Sequence, residues 1–158
     1  MLCLDKREMR INRMSIGKKL LKFSGGISIF TGFIIVFVGF YFMSNGMLLN
    51  SVTPDTDEAV LRAMRYISAG GMYMMVFGIY SIYAGFRGLM NADDNEYTDK
   101  LKTLGMIYIS LCILNIIIVF IISDTVTALN VAVCAIPLII SLIYITGVIL
   151  KLKNIENS

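Results

Sequence analysis

The chain has 158 residues, 57% hydrophobic and 16% charged, with a formal net charge of +3 and a mean hydropathy of +0.77. An ordinary soluble domain is about 45–50% apolar and about 25% charged. The composition therefore excludes a disordered chain, a collagen-like fibre and a nucleic-acid-binding tail, and it points away from a soluble globule towards a small integral membrane protein.

Residues 1–22 form a basic segment with Lys6, Arg7, Arg10, Arg13, Lys18, Lys19 and Lys22 set against Asp5 and Glu8. With Met9, Ile16, Leu20 and Leu21 interspersed, it reads as a topology signal and equally as a helix lying on an anionic leaflet, two readings that are compatible. Met9 and Met14 are alternative starts. Cys3 is not preceded by the apolar run that a lipoprotein signal requires.

Residues 23–43 carry no charge. A helix rises about 1.5 Å per residue, so roughly 20 residues cross a hydrocarbon core of about 30 Å. A basic flank resembles that of a signal peptide. The apolar stretch is too long, however, and no small-x-small cleavage site follows, so a retained anchor is expected. Glycines recur at Gly25, Gly32, Gly39 and Gly46, every interval being seven residues, and Phe23, Phe30 and Phe37 follow the same period.

The first loop contains Thr53-Pro54-Asp55-Thr56-Asp57-Glu58. A capping hydroxyl, a proline at the first helical position and acids in the first turn predict a helix start near Pro54. Glu58 and Arg62 are placed as an i, i+4 pair. The second uncharged run, 66–86, repeats the seven-residue spacing at Gly71, Gly78 and Gly85.

Seven residues is almost two turns, so each glycine set lines one narrow stripe of its helix. Lipid tails are as apolar as Leu, and close backbone approach through small residues is what favours packing there. The stripes predict a close antiparallel hairpin of the first two helices, glycine facing glycine, with Ser28 and Ser81 extending the small surface. The competing expectation is that one stripe mediates dimerisation. Tyr66, Tyr73 and Tyr80 are two residues past or five before a glycine, so they fall on roughly the opposite face of the second helix. Tyr66 and Tyr83 suit an interfacial belt. Met72, Met74 and Met75 point in different directions and read as adaptable packing rather than a soft-metal site.

The second loop holds Asp93-Asp94-Asn95-Glu96. It lacks the ligand spacing and central glycine of an EF-hand. Asp93 with Glu96 reads as a capping box, and Glu96 with Lys100 as an i, i+4 pair; a weak cation site is the lesser alternative. The third span, 105–122, contains Tyr108, Cys112 and, near its middle, Asn115. An amide there is costly unless bonded, and it reads chiefly as glue between helices. A tight turn at 123–127 leads to the fourth span, 128–150, where Pro137 should free the carbonyl of Val133 and kink the helix, a static kink or a hinge. Cys112 and Cys134 behave as small hydrophobes. Only Gly105 and Gly147 fall in this second half, outside the repeat, and a bulky side chain is expected to cost less at Gly147 than at Gly32 or Gly78.

Charge sets the orientation. Twelve of the 14 Lys and Arg residues fall in the N-terminal segment, the second loop and the tail 151–158; only Arg62 and Arg65 fall in the first loop. By the positive-inside rule both termini are cytoplasmic. The expected fold is an all-α, four-helix transmembrane bundle of two antiparallel hairpins, with spans 23–43, 66–86, 105–122 and 128–150 forming one domain over 23–150 in the inner (plasma) membrane.

There is no histidine, which removes the commonest acid–base group and metal ligand. No span holds Asp, Glu, Lys or Arg, and no phosphate loop, serine elbow or paired carboxylate is present. Neither an enzyme nor a bound cofactor or metal is expected. The run Gly78-Ile79-Tyr80-Ser81-Ile82-Tyr83-Ala84-Gly85-Phe86-Arg87-Gly88-Leu89, followed by a short acidic-basic loop and Lys102-Thr103-Leu104-Gly105, resembles a loose class of uncharacterised small four-span bacterial membrane proteins. That resemblance implies four spans and no particular activity.

The expected role is thus a non-enzymatic scaffold, accessory or immunity-type subunit acting through Gly25, Gly32, Gly39, Gly71, Gly78 and Gly85 or through Asn115. Its partners would be the lipid bilayer and either a second copy or another membrane protein, not nucleic acid. The alternative is an oligomeric small-solute transporter or channel unit lined by Tyr73, Tyr80, Tyr108 and Asn115 and gated near Pro137.

Overall fold

The computed structural model describes residues 2–52, 58–122 and 128–155. Within them are four α-helices and no strand: α1 (Leu2–Val52), α2 (Glu58–Met90), α3 (Thr98–Ile122) and α4 (Ala128–Ile155). Each contains a segment long and apolar enough to cross a membrane, namely Ile16–Asn45, Val60–Met90, Thr98–Ile121 and Val131–Lys153. The expected helix start at Pro54, the turn at 123–127, the side chain of Cys3 and the surroundings of Gly46 lie outside the described residues.

Uncharged runs become helices because a helix satisfies its backbone groups internally, which matters most where water is absent. The charges that remain favour the helix ends. Glu58 and Asp99 occupy the first turns of α2 and α3, and Arg87 and Lys153 the last turns of α2 and α4, as the helix dipole prefers. The Glu58–Arg62 pair forms at 2.8 Å on an exposed surface, where such a pair is worth little. α4 stays helical through Pro137. α1 is one helix of 51 residues, about 76 Å long at 1.5 Å per residue, so the basic segment and the first apolar run are continuous.

Each helix packs against two others: α1 against α2 and α4, and α3 against α2 and α4. Most of the buried apolar residues form two clusters, with Val119 and Cys134 outside both. One, near the α2–α3 loop, is Leu21, Ala92, Leu101, Tyr144 and Val148. The other, deeper, is Phe77, Ala84, Tyr108, Cys112 and Ile140. α1 contributes one fully buried residue, Leu21, to these clusters and packs Ile27 and Ile35 against the second, while its Phe23, Phe30, Phe33, Phe37 and Phe40 all face outward.

The α2–α3 loop differs from expectation. Asp93 does not cap α3. Its carboxylate turns to α1, meeting Lys22 at 2.6 Å and Lys18 at 3.8 Å. Turn geometry comes instead from Asp94, whose side chain accepts from the Glu96 amide at 2.9 Å, and from Thr98, whose hydroxyl donates to the Asn95 carbonyl at 2.8 Å. Nor does Lys100 pair with Glu96: its ammonium sits 4.5 Å from the centre of the Tyr97 ring.

Candidate functional site

The glycine repeat places α1 on α2. A Cβ built on Gly25 would stand 2.7 Å from the carbonyl oxygen of Gly85, on Gly32 2.8 Å from that of Gly78, and on Gly39 2.7 Å from that of Gly71. The reverse contacts are equally close: Gly71 to Gly39 at 2.7 Å, Gly78 to Gly32 at 2.7 Å, Gly85 to Gly25 at 2.6 Å. Position by position the contacts climb α1 as they descend α2. No side chain fits between such backbones. In the same seam the Ser81 hydroxyl donates to the Ser28 carbonyl at 3.0 Å. Gly26, next to the stripe, has only Leu89 Cδ1 near it, at 4.0 Å.

Gly147, although outside the repeat, also makes a close contact. It meets Gly17 reciprocally, at 3.2 and 3.0 Å, and so joins α4 to α1. The physical reason is the same close approach, made through one glycine per helix instead of three.

Opposite its glycines, α2 meets α3 through aromatic rings. The Tyr73 hydroxyl donates to the Leu111 carbonyl at 2.8 Å and the Tyr80 hydroxyl to the Leu104 carbonyl at 3.1 Å. Phe77 is stacked parallel to Tyr73 with 6.3 Å between centroids and lies 6.1 Å from Tyr108. Tyr108 is fully buried and shares a 2.8 Å hydrogen bond with Ser81. Thus Tyr73, Tyr80 and Tyr108 converge on one interface, and Ser81 links it to the glycine seam.

Asn115 is 2% exposed, and its side-chain oxygen has no hydrogen-bond partner. Ser28 Oγ and the Tyr144 hydroxyl share that condition. Pro137 is buried within α4. Met74 and Met75 lie against Gly39, whereas Met72 faces outward. At the far end of the α1–α2 pair, Met72 joins Met43, Met47 and Met64 around a groove of about 340 Å³.

Two features escaped the reading of the sequence. Tyr144 is fully buried between two glycines: a Cβ on Gly88 would touch its ring at 2.5 Å, and one on Gly105 at 3.1 Å. Lys151, assigned by its charge to the tail, is fully buried. Its ammonium donates to the carbonyl of Asn91 at 3.4 Å and to that of Asp94, fastening the α2–α3 loop to α4. The signal was present, since Tyr144, Val148 and Lys151 continue a helical core stripe at i, i+4 and i+7.

No family model, curated protein or solved structure matches the chain.

Proposed function

We propose that this chain is a small multi-pass protein of the plasma membrane, folded as two antiparallel hairpins with both termini in the cytoplasm. Its role is that of a scaffold, accessory or immunity-type subunit, acting through helix packing and not through chemistry of its own. The observation that carries this reading is the use of the interior polar groups. The hydroxyls of Tyr73, Tyr80 and Ser81 all donate to the backbone of a neighbouring helix. They hold helices together and do not line a path. The basic clusters at the α2–α3 loop end, Lys18, Lys22, Arg87, Lys100 and Lys151, support the orientation.

The alternative, an oligomeric transporter or channel unit, has one observation in its favour: Ser28 Oγ, Asn115 Oδ1 and the Tyr144 hydroxyl are buried without partners, as a ligand-binding interior would leave them. Native mass spectrometry on the chain extracted from its own membrane in mild detergent separates the two. The scaffold reading expects an assembly heavier than one 17.6 kDa chain, together with no solute flux in proteoliposomes. A lone protomer would overturn it. Flux that falls in Asn115→Leu and Tyr80→Phe would establish the alternative.

A further inference from the structure

On the outside of the bundle, where α2 ends and α3 begins, lies a groove of about 340 Å³ lined by Tyr83, Arg87, Asn91, Tyr97, Lys100 and Thr103 among others. It holds two cations and no carboxylate. The ion pairs among the described residues involve Lys18, Lys22 and Arg62, so neither Arg87 nor Lys100 has an acidic partner. Each rests instead on a tyrosine ring, the Arg87 guanidinium carbon 5.5 Å from the centre of Tyr83 and the Lys100 ammonium 4.5 Å from that of Tyr97. Arg87 Nε donates to the Tyr83 hydroxyl at 3.3 Å, which leaves the two terminal nitrogens of the fork open. A cation on a ring face keeps its charge and its outward N–H groups.

The remaining polar groups add donors. The Tyr83 hydroxyl accepts from Arg87 and keeps its own proton. One Asn91 amide hydrogen is used on the Arg87 carbonyl at 3.1 Å, and the other is open. Thr103 is different, for its hydroxyl already donates to the Asp99 carbonyl at 3.2 Å. A planar fork, a point charge and phenolic donors around one groove suit a phosphate better than a carboxylate, because a phosphate presents more acceptor oxygens in three dimensions.

The groove also continues as an apolar track. One and two turns below Tyr83 on the same face of α2 are exposed Ile79 and Val76; on α3 exposed Ile107 lies one turn past Thr103, and exposed Leu114 two turns past Ile107. The candidate spans end at Met90 and begin at Thr98, so the cations stand at the boundary and the track runs inward from it. We infer that this groove binds an anionic glycerophospholipid, its phosphate held between Arg87 and Lys100 and an acyl chain lying along Ile79 and Ile107. The inference rests on the membrane placement and not on the scaffold role: lipid binding by a lone protomer would leave it standing.

The test is lipid retention, by native mass spectrometry, and thermal shift in detergent with added phosphatidylglycerol, phosphatidylcholine or inorganic phosphate. The full chain should retain phosphatidylglycerol in preference to phosphatidylcholine. The double variant Arg87→Gln/Lys100→Gln should bind it about tenfold more weakly, as loss of charge-assisted hydrogen bonds implies. The single variant Lys100→Gln, at an exposed position, should show a smaller loss in the same direction and keeps the test valid if the double variant fails to fold. The charge-matched Lys102→Gln should bind as the parent chain does. Equal retention by the parent and Lys100→Gln, equal retention of phosphatidylcholine, or an equal loss in Lys102→Gln would overturn the site. A shift produced in full by inorganic phosphate would overturn the lipid as its source.

Discussion

Toward α1, helix α2 presents Gly71, Gly78 and Gly85; toward α3, turned by about 200°, it presents Tyr73 and Tyr80. On the first face backbone meets backbone, with each carbonyl oxygen where a partner's Cβ would stand. On the second, rings fill the space and hydroxyls bond to backbone carbonyls of α3. The difference teaches that one helix can be held by two unrelated means. The glycine face gains from many close dispersion contacts and weak Cα–H···O contacts, and it tolerates no added atom. The tyrosine face gains from a few directional bonds, and losing one leaves the packing in place.

The sharpest way to break this comparison is to add volume to the glycine face. Gly32→Leu or Gly78→Leu should lower the melting temperature in detergent by the equivalent of about 3 kcal/mol or more, the upper end of overpacking costs. Gly147→Leu, with its nearest contact at 3.2 Å rather than 2.7 Å, should cost less, and Gly26→Leu little. Equal losses at Gly32 and Gly26 would remove the glycine seam as a cause of packing.

The tyrosine face should respond by about 1 kcal/mol per lost hydroxyl. Tyr80→Phe should destabilise by roughly that amount. Tyr144→Phe removes a buried hydroxyl that has no partner and should be neutral or stabilising. A larger loss at Tyr144 than at Tyr80 would mean that the directional bonds do not carry that interface.

The smallest effect concerns the link between α1 and the α2–α3 loop. The hydrogen bond from Lys22, with the charges of Lys22 and Lys18, holds the Asp93 carboxyl below its ordinary range. A carboxylate with a lowered pKa contributes stability that is complete above the ordinary value and fades as pH falls through the lowered one. Melting curves taken down through that window should show a slight acid sensitivity that Asp93→Asn lacks. The group is exposed, so the difference should be small and should shrink further with salt.

Much of this was legible along the chain. The glycines of α1 and α2 could be matched because two stripes with the same period meet in register wherever one pair meets. The tyrosines could be placed on the opposite face by rotation alone. Asp93 could not be assigned, because a capping role and an ion pair with another helix use the same carboxylate, and only the position of Lys22 decides between them. Gly17 and Gly147 were equally opaque, Gly17 standing outside the seven-residue repeat of α1 and Gly147 being the only glycine of α4. Lys151 was misplaced for a plainer reason: charge outweighs periodicity when a lysine follows an apolar run, and its carbonyl partners lie some 60 residues away in the chain.

By itself, then, the order of residues determined four long apolar helices and the faces of α1 and α2 that carry small residues or rings, since both follow from composition and from a rotation of 100° per residue. Only the tertiary structure decided which groups outside the repeats come together: Gly17 with Gly147, Tyr144 between Gly88 and Gly105, Lys151 under the α2–α3 loop, and Arg87 on the same groove as Lys100. Periodicity orders residues within one helix, but contact between helices depends on how closely their backbones approach, and that distance is a property of the whole bundle.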